Sequence, residues 1–263
     1  MIRVPRPAAP MSPEPRAPYL LVKHSSGWNV DRCSLWMARA GHAVEYRYPV
    51  DGDALPDPAG YAGVIVFGGR WSANDCASEP WIPRELDFIE RCLGADVPFF
   101  GVCLGAQLLA RVLGARVGPH AEGRREVGFH RVDPVAGAED FLDAPLTVMQ
   151  WHSEGFETPA GCTRTATSEH FPDQAFACGP RVAGVQFHPE VNPDVLAIWH
   201  ERNRERKPGD LTDAERAAMR ADALAHDVAV TAWLDGFLAR WTGEGVPVPG
   251  SRPTARPAAR PAA

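Results

Sequence analysis

Three short apolar runs set the terms for the rest of this chain. Tyr19–His24 (Tyr-Leu-Leu-Val-Lys-His), Ala62–Phe67 and Val97–Val102 are too short for stable helices, and each reads as a buried strand. Between them the period changes. Asp31–Ala40 has helical spacing and meets Gly41, a residue suited to the left-handed position after a helix. His42–Tyr48 alternates as a strand. Pro83–Leu93 places Leu86, Ile89 and Leu93 on one helical face and meets Gly94, and Leu104–Leu113 follows the third run directly and meets Gly114. This strand–helix alternation predicts an α/β fold, a doubly wound and mostly parallel sheet flanked by helices on both faces.

From Arg116 to Phe187 the pattern turns to short alternating segments. Val127–Val132, Leu146–Trp151 and Ala175–Ala177 predict antiparallel strands added to the sheet. Arg181–Phe187 returns as a strand ending at His188-Pro189-Glu190, and a helical stretch covers 193–204. Thr212-Asp-Ala-Glu215 matches a capping box. It opens a C-terminal helical extension over about 212–241, whose Leu224, Val228, Trp233, Leu234, Phe237, Leu238 and Trp241 are expected to dock on the main body. The proline-rich residues 1–18 and the Pro/Ala/Arg-rich residues 244–263 offer little to bury and are expected to be disordered tails, leaving one domain over 19–243.

The chemistry concentrates at Phe99-Phe100-Gly101-Val102-Cys103-Leu104-Gly105-Ala106-Gln107, where an apolar strand enters a helix through Gly-x-Cys-x-Gly. That is the cysteine form of a nucleophile elbow, with glycines where a Cβ would clash. Such a turn lifts the sulfur out at the carboxyl edge of the sheet. It also sets the sulfur at a helix N-terminus that favours negative charge, and aims the Leu104 amide at a forming oxyanion. A thiol nucleophile needs a base. Among nine histidines, His188 closes an apolar strand, and Glu190 stands two residues on, where its carboxylate can fix the imidazole tautomer. Gly68-Gly69, after another strand, supplies candidate backbone donors at the same sheet edge.

Taken together, Gly-Val-Cys-Leu-Gly-Ala-Gln, Gln-Phe-His-Pro-Glu and Val-Phe-Gly-Gly resemble the class I glutamine amidotransferases. The likeness is greatest to free-standing members related to the glutaminase domain of GMP synthetase, and it covers roughly 19–200. It implies the flavodoxin-like class I amidotransferase fold and a Cys103–His188–Glu190 triad forming a γ-glutamyl thioester. It further implies an oxyanion hole from the Gly69 and Leu104 amides, and substrate contacts from Gly68, Gln107, Trp151 and Ser153. Met149-Gln150-Trp151-His152-Ser153 corresponds to the substrate-holding loop, with Ser153 where relatives commonly carry glycine. Glu126, in Glu-Val-Gly-Phe, and His152 are read as structural or pocket-wall residues, and Arg70, Trp71, Asn74 and Asp75 as a loop at the pocket mouth.

The sequence contains no Gly-x-x-x-x-Gly-Lys-Ser/Thr phosphate loop and no identifiable acceptor site. The expected activity is therefore glutamine hydrolysis with ammonia released to a separate acceptor, such as a partner synthetase or transferase. The alternatives are a γ-glutamyl peptidase acting on glutathione-like conjugates and a regulatory subunit active only with its partner. Net charge is −6 with no basic stripe, which gives no footprint for nucleic acid or anionic membrane. No apolar run approaches the roughly 20 residues needed to cross a bilayer, and the N-terminus has no apolar core of a secretory signal. The six cysteines are scattered without a Cys-x-x-Cys pair, so no disulfide framework is expected and a reducing cytoplasm fits best. His24, His42, His120, His130, His170, His200 and His226 lie in separate segments without ligand spacing, and neither metal nor cofactor is expected.

Overall fold

The computed structural model describes residues 16–27 and 29–243; the two expected tails lie almost entirely outside the described residues. The parallel half of the sheet is built from β1 (Tyr19–Val22), β2 (Val44–Arg47), β3 (Gly63–Val66), β4 (Phe99–Val102) and β11 (Val182–Val185). Four further strands extend it antiparallel: β6 (Glu126–Pro134), β7 (Leu146–His152), β9 (Thr163–Thr167) and β10 (Ala175–Ala177). The nine strands run in the order β2-β1-β3-β4-β11-β10-β9-β6-β7, and a separate ribbon pairs β5 (Val117–Pro119) with β8 (Glu154–Phe156).

The apolar runs are uniform because both faces of the parallel half are covered. Leu20, Val22, Val64, Val66 and Phe99 pack toward α2 (Trp81–Gly94) and α3 (Leu104–Val112). Alternate residues, Leu21, Ile65, Phe100 and Val102, pack toward α1 (Arg32–Ala40) and α5 (Asp213–Thr242). Helix ends follow local chemistry. Asp31 caps α1 by accepting from the Ser34 amide, and Gly41 closes it at φ 74°. Asn192 caps α4 (Pro193–Arg206) ahead of Pro193, and Thr212 and Glu215 form the capping box of α5.

α2 ends on Gly94, and the left-handed residue beyond it is Asp96 at φ 54°. Two expectations change. Leu224 and Val228 do not dock: they are 70% and 80% exposed, while Val230, Leu234, Phe237, Leu238 and Trp241 are buried. The apolar stripe of α5 is wider than the surface that receives it. The cysteine reading also needs correction, because Cys162 and Cys178 form a disulfide with Cα atoms 4.5 Å apart. Thr163 pairs with Ala177 across β9 and β10, which brings the flanking cysteines opposite one another. That proximity comes from strand register and cannot be seen in sequence spacing. Cys33, Cys76, Cys92 and Cys103 are free. Among the described residues no helix is long and apolar enough to cross a membrane.

Candidate functional site

The carboxyl ends of β1, β3, β4 and β11 meet at one edge, and the chain turns there at Cys103. Its backbone sits at φ 49° and ψ −106°, and its amide donates to the Val185 carbonyl at 2.7 Å, which ties the turn to β11. The flanking glycines are steric necessities. A Cβ on Gly105 would lie 2.1 Å from the Val66 carbonyl oxygen, and one on Gly101 would lie 2.7 Å from the Ala106 nitrogen.

Three residues past β11, His188 reaches the same place. Its Nδ1 pairs with Glu190 Oε1 at 2.8 Å, and the Cys103 sulfur lies close enough to act on its charge. All three side chains are buried. Burial alone lowers the His188 pKa, but the Glu190 carboxylate and the Cys103 sulfur outweigh it and raise the value to about 10.

Gly68 lies against this pair, and Gly69 beside Leu104 and His24. A Cβ on Gly68 would fall 2.7 Å from His188 Cε1 and 3.4 Å from Cys103 Cβ, and one on Gly69 would fall 2.8 Å from Leu104 Cδ2. The arrangement brings a cysteine sulfur, an imidazole, a carboxylate and a glycine loop together beside a helix N-terminus, a set able to carry out acyl transfer.

The family model for class I glutamine amidotransferases matches residues 29–197. The chain belongs to that family. Its sheet and flanking helices superpose on a glutamine amidotransferase from Thermotoga maritima with TM-score 0.78 and 28% identity, covering 86% of this chain and 98% of that one. A glutamine amidotransferase from Methylobacillus flagellatus also gives TM-score 0.78, at 26% identity over 87% and 95% of the two chains. Among curated relatives, the glutamine-hydrolyzing GMP synthase of Bacillus subtilis is 37% identical over 133 residues, and that of Vibrio cholerae is 35% identical over the same length. Each match takes in 49% of this chain, which spans about a quarter (24%) of those relatives' length.

Other residues of this family member fall less simply. Gln107 is buried, and its amide nitrogen donates to Gln186 Oε1 and to the Glu154 carbonyl, each at 3.1 Å. Trp151 is half-buried and stacks edgewise on Trp199 at 5.9 Å, and Trp199 in turn meets the His188 ring at 4.9 Å. Ser153 is exposed. Glu126 is buried and accepts from His152 Nε2, Ser168 Oγ and Gln174 Nε2 at 3.0, 3.0 and 2.8 Å. The Arg70–Asp75 loop is held by Ser72, which donates to Glu154 at 2.7 Å, and by Asn74, which donates to the Val117 carbonyl at 3.0 Å.

Sequence reasoning missed several neighbours. Gln186 donates toward the Cys103 sulfur at 3.5 Å, and its one signal was a polar residue inside an apolar strand. Arg32 donates to the Pro189 and Val191 carbonyls, to Thr231 and to Asp227, binding the His188–Glu190 turn to α1 and α5. Nothing in the sequence marked it. Among the described residues no group of three or more His, Cys, Asp or Glu side chains could hold a metal ion.

Proposed function

We propose that this protein hydrolyses the side-chain amide of glutamine through a γ-glutamyl thioester on Cys103. The observation that carries the reading is the buried Cys103–His188–Glu190 line, with the sulfur on a strained elbow and the imidazole fixed at 2.8 Å by its carboxylate. In this reaction the Cys103 thiol has passed its proton to His188, the resulting thiolate attacks the amide carbon, and the carbonyl oxygen becomes an oxyanion received by the Gly69 and Leu104 amides. His188 already carries the proton that the departing nitrogen needs, so it acts first as general acid and ammonia leaves. It then takes a proton from the water that cleaves the thioester. Glu190 keeps the imidazole oriented throughout.

The GMP synthases that resemble half of this chain are glutamine-hydrolyzing, which supports glutamine as the donor and a separate protein, such as a synthetase or transferase, as the acceptor of ammonia. The test is ammonia release from glutamine by wild type and the Cys103→Ala variant, with turnover expected only in the former. Turnover by the variant overturns the assignment. A second reading, a γ-glutamyl peptidase, uses the same triad with a different leaving group. A panel of γ-glutamyl amides and peptides separates the two, since a peptidase releases an amino acid or dipeptide with little ammonia.

A further inference from the structure

A buried ion pair outside the thiol site bears on it through one peptide bond. His24 follows β1 by two residues and is buried with Glu85, which projects from α2. The imidazole Nε2 lies 3.1 and 3.0 Å from the two Glu85 oxygens, and Nδ1 lies 3.1 Å from the Gly68 carbonyl oxygen. A carbonyl oxygen only accepts, and so does an ionised carboxylate. Satisfying both therefore requires a proton on each ring nitrogen, so His24 is an imidazolium donating in two directions.

The acceptor on one side is the informative part. The Gly68 carbonyl and the Gly69 N–H belong to the same planar trans peptide and point in opposite directions. Fixing the carbonyl thus fixes the direction of the N–H. Both glycines need such restraint, because neither has a side chain to limit rotation of this unit. The fit around them is close: a Cβ on Gly69 would stand 3.1 Å from His24 Cβ and 2.8 Å from Leu104 Cδ2.

We propose that His24, braced by Glu85, is a positioning residue that clamps the Gly68–Gly69 peptide with its N–H turned toward the oxyanion position. The clamp rests on the reading that the Gly69 amide receives the oxyanion of an acyl-transfer reaction at Cys103. The groups facing His24 agree with a cation there. Glu85 is the charged group opposite it, the Gly68 carbonyl accepts from it, and the Trp81 and Trp71 rings lie at 4.9 and 6.5 Å. The neighbouring Lys23 turns its ammonium away to Asp31, Asn29 and Ser34. Burial lowers the His24 pKa most, yet Glu85 and the carbonyl contacts together leave it raised above 6.5.

Two substitutions divide the clamp from ordinary packing. In His24→Asn the side-chain amide nitrogen takes the place of Nδ1 and keeps a donor for the Gly68 carbonyl. In His24→Gln the nitrogen falls where Nε2 was, keeping Glu85 and losing Gly68. Glutamine turnover is measured in both, together with alkylation of Cys103 by iodoacetamide, a displacement at a saturated carbon that develops no oxyanion. The clamp predicts a loss in kcat of about 10- to 100-fold in His24→Gln with KM close to wild type. It also predicts that His24→Asn keeps more of kcat than His24→Gln, with alkylation unchanged in both. Equal losses in the two variants, an unchanged kcat in His24→Gln, or alkylation that falls in step with turnover each overturn the clamp. A wild-type protein that is alkylated at Cys103 but turns over no γ-glutamyl amide overturns the underlying reaction instead, and the clamp with it.

Discussion

At Cys103 the backbone holds a side chain in a region that L-residues rarely occupy, at φ 49° and ψ −106°. Replacing it by glycine relieves that conformation, whereas alanine retains it. Both variants lose the thiol, but Cys103→Gly should be more stable than Cys103→Ala by about 1 kcal/mol, as denaturant unfolding would show. Gly105→Ala should be severe, about 3 kcal/mol or more, since its Cβ would meet the Val66 backbone oxygen at 2.1 Å and backbone cannot move aside cheaply. His188 gives a pH signature. Its native pKa of about 10 exceeds the model-compound value of 6.5, so between those values the folded chain keeps a proton that the unfolded chain has released. Its contribution to stability is therefore complete below pH 6.5 and fades as pH rises toward 10. Denaturant midpoints at about pH 6 and about pH 9 should differ less in His188→Asn than in wild type. Cys103, His188 and Glu190 were legible because strand, turn and spacing are local properties. Gln186, His24 and Arg32 were not, because their roles come from partners 83, 44 and 157 residues away.

Among the elements, the parallel strands and their helices were legible because uninterrupted apolar runs and capping residues carry their own signal. β5 and β8 span three residues each and β9 starts with exposed positions, and their pairing depends on register supplied by distant strands. The same dependence hides the Cys162–Cys178 bond. With the two cysteines separated by 16 residues, chain-entropy reasoning assigns it about 3 kcal/mol. Cys162→Ser should lower unfolding stability by roughly that amount while leaving alkylation of Cys103 unchanged, since the bond joins β9 and β10 and does not touch the elbow. A loss of both together would indicate that this hairpin also supports β11 and the turn beyond it.

For the molecule as a whole, α5 is part of the body and not an appendage. Val230, Leu234, Phe237, Leu238 and Trp241 are buried in the main core, and Trp241 Nε1 donates to the Arg181 carbonyl at 3.0 Å. Burial at about 1.5–3 kcal/mol for each such side chain sums to about 10 kcal/mol, comparable to the total stability of a typical domain. A chain ending before Asp213 should therefore fail to fold, seen as loss of a cooperative thermal transition. The sheet order has a further consequence, one of timing. β4 pairs with β11, whose residues come some 80 positions later, so the thiol emerges from the ribosome long before its imidazole. Until β11 inserts beside β4, Cys103 has neither His188 nor the Val185 carbonyl that holds its turn. Parallel pairing over such a distance is slow. After dilution from denaturant, helix content should return first and glutamine turnover last, so that the reaction itself reports when folding is complete.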